Sequence, residues 1–194
     1  MGSRLIHQFE FPSILYDTLF GLIIYFSLDS FLDLQGKLHL FFYLFALVLV
    51  IHWWLMFKSA TDAFGEETSD SAFNLVINIV YLIIIDYIVL LSGKFDYYQA
   101  GVFLAVLLLV DLLWASVWRF AKAWDSKERG KIKRMKQELS NIISTDLLLL
   151  LPLGVLLLLG GGFAPGLFIG LLAGLYFVYI AFSFHYQIID LKIL

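Results

Sequence analysis

The chain has 194 residues, of which 61% are hydrophobic and 15% charged, and its formal net charge is −3. A soluble domain carries roughly 25% charged residues, so this composition, with a mean hydropathy of +0.89, excludes a water-covered globule and points to a bilayer. The absence of cysteine excludes disulfides, thiolate metal sites and thiol catalysis.

Six apolar segments follow one another, long enough to cross a hydrocarbon layer of ~30 Å at a rise of ~1.5 Å per residue. The first runs over about 12–34, with Pro12 in its opening turn, where a missing N–H costs nothing. Asp17 interrupts its apolar run and no small-residue cleavage pattern closes it, which argues against a signal peptide. Gly36-Lys37 turns the chain into a second helix over about 38–58. The polar stretch Thr61–Asp70 leads to a third over about 72–91, and Ser92-Gly93-Lys94 turns into a fourth over about 97–118. A basic cytoplasmic linker over 119–143 precedes a fifth helix over about 144–159, which Ser144-Thr145-Asp146 can cap. Gly160-Gly161-Gly162 breaks the chain before a sixth helix over about 165–186. The expected fold is all-α: a polytopic integral membrane protein forming a single transmembrane domain.

Orientation follows from the loop charges. With the linker in the cytoplasm, both termini lie inside, and eleven of the 13 Lys and Arg residues face inward, leaving Lys37 and Lys94 outside. Trp53, Trp54, Trp114, Trp118 and Trp124 all fall toward the inner ends of their helices, as an interfacial belt would. A bacterial or archaeal inner membrane is the expected location.

At 100° per residue, Thr18, Leu22, Tyr25/Phe26, Asp29 and Asp33 share one stripe of the first helix. At the axis of a homo-oligomer, Leu22 and Phe26 would line a hydrophobic constriction beneath an acidic ring of Asp29 and Asp33. Such a ring concentrates cations and such a constriction gates by dewetting. The alternative is that the two acids end the helix in water.

Asp17, Asp86 and Asp111 lie deeper, where a lone carboxylate costs several kcal/mol unless protonated, paired or facing water. They are candidates for an ion pathway or for interhelical hydrogen bonds. Asn74 and Asn78, spaced i, i+4, are expected to pack by hydrogen bonding. Gly166, Gly170 and Gly174 form a small-xxx-small face suited to close helix packing, within the chain or between subunits. The linker positions Lys131, Lys133, Arg134 and Lys136 are interleaved with apolar residues at helical spacing. They suit contact with anionic lipid or a cytoplasmic extension of the fifth helix. Nothing organises a nucleic-acid site. The four histidines carry no metalloprotease spacing, no metal site or cofactor motif is present, and no enzyme is expected.

Leu15-Tyr16-Asp17 followed by Thr18-Leu19-Phe20-Gly21-Leu22, with Trp53 or Trp54 late in the second helix, resembles prokaryotic relatives of the lysosomal potassium channel, the transmembrane protein 175 family. Of that family's Arg-x-x-x-Phe-Ser-Asp motif only Asp17 is present; Phe11 occupies the arginine position, and Met56 and Phe57 stand where histidines accompany the family's tryptophan. The resemblance implies a tetramer whose first helix lines the pore, with the main constriction at Leu22. The expected function is a channel for a monovalent cation, potassium included, in a homo-oligomer (tetramer or dimer). One rival is a non-conducting sensor, anchor or immunity-type module that binds a cytoplasmic partner. Another is a proton-coupled transporter using Asp86 and Asp111.

Overall fold

The computed structural model describes residues 17–28, 31, 34–68, 72–120, 129–160 and 162–185. They form six helices: α1 (Asp17–Leu28), α2 (Gly36–Thr68), α3 (Ala72–Gly93), α4 (Tyr97–Phe120), α5 (Arg129–Gly160) and α6 (Pro165–His185). The protein is an all-α polytopic membrane protein. Five helices, α2 to α6, contain apolar spans of 18–25 residues, whereas the described part of α1 is shorter than a bilayer crossing. The helices group into two compact units that divide between Asp96 and Tyr97.

Two helices run past their expected ends. The segment Thr61–Thr68 continues α2, and 129–143 belongs to α5. In 129–143 the physical reason is helix propensity: Glu, Lys, Arg, Gln and Met are good helix formers, so a hydrophilic composition ends the membrane span without ending the helix.

In the first unit, α1 and α2 form an antiparallel hairpin. Trp54 Nε1 donates to Asp17 Oδ1 at 2.7 Å, and the Tyr43 hydroxyl donates to the Ser27 carbonyl. As residue numbers rise along α1, their partners fall along α2. The turn uses Gly36 at φ 80°, a left-handed backbone that glycine adopts without a Cβ clash.

His39 then ties α2 to the end of α3. Its Nδ1 accepts from the Gln35 N–H at 3.1 Å, so Nε2 carries the proton and donates to the Ser92 and Gly93 carbonyls at 3.0 Å each. Those carbonyls belong to the last turn of α3, which lacks intrahelical donors. The chain leaves α3 through a Schellman motif: Asp96 N donates to Leu91 O and Phe95 N to Ser92 O. Phe95 takes the left-handed position at φ 58° that glycine usually holds. Its ring packs 5.0 Å from His39 and 6.3 Å from Phe42, contacts that offset the backbone strain.

The second unit is an antiparallel arrangement of α4, α5 and α6. Along α4, Tyr98, Asp111 and Arg119 face Leu157, Asp146 and Ser140 of α5 in turn. The hydrogen bonds at the two ends fix the register that sets the middle pair. Pro152 removes one backbone donor from α5, which a membrane helix tolerates when its neighbours cover the gap. Between α5 and α6 the chain turns at Gly160, which packs directly on the Phe168 ring.

Candidate functional site

The buried face of α5 reads Leu139, Ile142, Asp146, Leu149, Leu153 and Leu156. These steps of three and four residues form one stripe, and a carboxylate stands in its middle. The buried face of α4 includes Leu104, Leu107, Leu108, Asp111 and Ala115. The fixed register brings the two acids together. Asp111 is 5% exposed and Asp146 is 0% exposed, and their carboxyl groups are close enough to interact electrostatically.

The third helix completes the cluster. Tyr179 of α6 donates its hydroxyl to Asp146 Oδ1 at 2.9 Å, and Tyr176 stacks against Tyr179 with ring centroids 5.7 Å apart. Both tyrosines are buried. Asp146 Oδ2 receives no donor among the described residues. A carboxylate cannot donate, so a hydrogen bond between Asp111 and Asp146 requires one proton held by the pair. The cluster lies near the middle of the apolar spans. Asp111 falls about 4 Å and Asp146 about 3 Å from the middles of their apolar spans, at 1.5 Å per residue.

Sequence reading missed Asp146 by taking it for a helix cap. The structure corrects this: α5 starts at Arg129, so Asp146 is mid-helix. The signal was present, since Asp146 continues the apolar stripe of Leu139, Ile142, Leu149 and Leu153.

Asp86 also departs from expectation. It is exposed, on the face of α3 that carries Ile79, Ile83 and Leu90, because Ile84, Ile85 and Ile88 take the buried face about half a turn away. It is therefore not a buried polar anchor within the chain.

Asp17 is half-buried and accepts from Trp54, and Asn78 is half-buried. Asn74 lies in α3, its side chain outside the described ones, and Asp29 and Asp33 lie outside the described residues. Leu22 is 41% and Phe26 61% exposed, because α1 turns Phe20, Ile23 and Ser27 inward. Gly166, Gly170 and Gly174 are exposed, and a Cβ at Gly170 or Gly174 would meet nothing within 4 Å. Of the two alternatives, packing within the chain does not use these glycines: α6 turns Phe168, Ile169, Leu172 and Tyr176 inward instead. Among the described residues, Gly101 and Gly160 meet neighbours closely. Lys131, Lys133 and Arg134 lie on the hydrophilic extension of α5, and Lys136 begins its apolar span.

No protein-family model matches the chain, and no curated protein or solved structure matches it.

Proposed function

We propose that the protein couples proton movement to cation movement across the bilayer, with Asp111 and Asp146 as its protonatable centre. The carboxyl–carboxyl contact at mid-span, inside one three-helix unit, carries this reading. Ionisable residues at that depth are costly and mark ion and proton pathways. While the pair holds one proton, a hydrogen bond bridges α4 and α5. Release of that proton to water leaves two adjacent negative charges, which repel unless a cation arrives between them. Proton and cation therefore compete for one site, which is the requirement for coupled exchange. The Tyr179 hydroxyl holds Asp146 in place throughout. Purified protein in tight liposomes with a lumenal pH-sensitive dye should convert an imposed sodium or potassium gradient into a pH gradient. A flat dye signal with insertion verified would overturn the proposal.

The exposed stripe of α1 favours a second reading, a cation channel with α1 at an oligomer axis. Leu22, Tyr25 and Phe26 are exposed among the described residues. Asp17 hydrogen-bonds to Trp54, one of the two tryptophans that the family resemblance offers. In this reading Leu22→Asn should raise uncoupled cation flux roughly tenfold or more by wetting an apolar constriction, with folding retained. Unchanged flux would place that face against lipid.

The orientation has its own test in this cysteine-free chain. Single cysteines at Lys37 and Lys94 should react with an impermeant reagent from outside intact cells, and those at Lys131 and Lys192 should be protected. Labelling at Lys131 would reverse the topology.

A further inference from the structure

Arg119, next to the last residue of α4, meets α5 where both apolar spans end. Its Nε donates to Ser140 Oγ at 2.8 Å, and that hydroxyl donates in turn to the Lys136 carbonyl at 2.8 Å. The hydroxyl is used both as acceptor and as donor, which fixes the guanidinium relative to α5. One of its five N–H groups is thereby committed. Among the described residues, none takes the other four and no carboxylate pairs with Arg119 or Lys136. Both residues are half-buried. A partly desolvated guanidinium without a counter-charge costs free energy that a resident anion would offset.

We infer that Arg119 and Lys136 form a binding site for a phosphate group, and that its source is the headgroup of an anionic membrane lipid. The planar guanidinium presents two Nη groups for bidentate contact with phosphate oxygens. The Lys136 ammonium adds a point charge from the neighbouring helix. Position favours lipid over a free anion: α4 ends at Phe120 and the apolar span of α5 begins at Lys136, so the site lies at headgroup level. Phe120, 75% exposed beside the guanidinium, suits an interfacial aromatic that packs against the lipid. The inference is independent of the proposed transport function.

The test uses the full chain in neutral detergent, titrated separately with phosphatidylglycerol, phosphatidylcholine and inorganic phosphate, reading thermal stability and lipid retained in native mass spectra. Wild type should bind phosphatidylglycerol in preference to phosphatidylcholine. Arg119→Gln and Lys136→Gln should each weaken it about fivefold, as expected for one basic residue near an anionic surface. Arg119→Lys keeps the charge and loses the bidentate fork, so it should weaken binding too; wild-type affinity there would reduce the site to diffuse attraction and overturn it. Wild-type binding by a folded Lys136→Gln would count equally against it. A stability gain from inorganic phosphate equal to that from phosphatidylglycerol would overturn the lipid assignment.

Discussion

Asp146→Asn should reduce proton-coupled cation flux by roughly 10²-fold or more, the scale on which removal of a positioned proton-transfer group acts. The substitution leaves the shape of the cluster nearly unchanged. Asparagine keeps a side-chain oxygen for the Tyr179 hydroxyl, which now bonds Asp146 Oδ1, and adds an amide donor toward Asp111. Thermal stability in detergent should therefore stay within about 1 kcal/mol of wild type. What disappears is the exchangeable proton, and with it the competition between proton and cation. Asp111→Asn should act alike. Asp111→Leu should differ, because it removes the neighbour that can share a proton with the buried Asp146, at a cost of about 1–3 kcal/mol. Flux and melting temperature measured together separate the two roles. If Asp146→Asn folds and still exchanges at the wild-type rate, the pair is only a bridge between helices.

Gly160→Ala should destabilise the second unit by about 1–3 kcal/mol through overpacking. A methyl group there would lie 2.4 Å from Phe168 Cε2 and 2.7 Å from Cδ2. The ring has little room to yield, since it is fully buried with Tyr97 and Tyr98 ring centroids 5.4 and 5.9 Å away. Gly170→Ala makes the matched control: a methyl there meets nothing, and the change should be neutral or stabilise slightly by lowering chain entropy. Adding Phe168→Leu to Gly160→Ala should recover part of the loss, because the two positions share one contact. A wild-type melting temperature for Gly160→Ala alone would show that the α5–α6 turn relaxes freely.

Helix positions along the chain were legible because span length is a local property. A run of apolar residues either reaches across ~30 Å or does not, and α3, α4 and α6 begin and end within about two residues of the ranges read from hydropathy. Hydropathy also identified Asp111 as a residue needing a partner. It did not identify that partner, because Ser144-Thr145-Asp146 offers the same capping chemistry whether a helix starts there or passes through. Only the packing of α4 on α5, pinned at Tyr98–Leu157 and Arg119–Ser140, put Asp146 opposite Asp111. Choosing the inward face of α6, or telling exposed Asp86 from buried Asp111, also required the tertiary structure. In a bilayer the lipid is as apolar as the protein interior, so both faces of a helix carry the same hydrophobicity and periodicity does not mark which one turns inward.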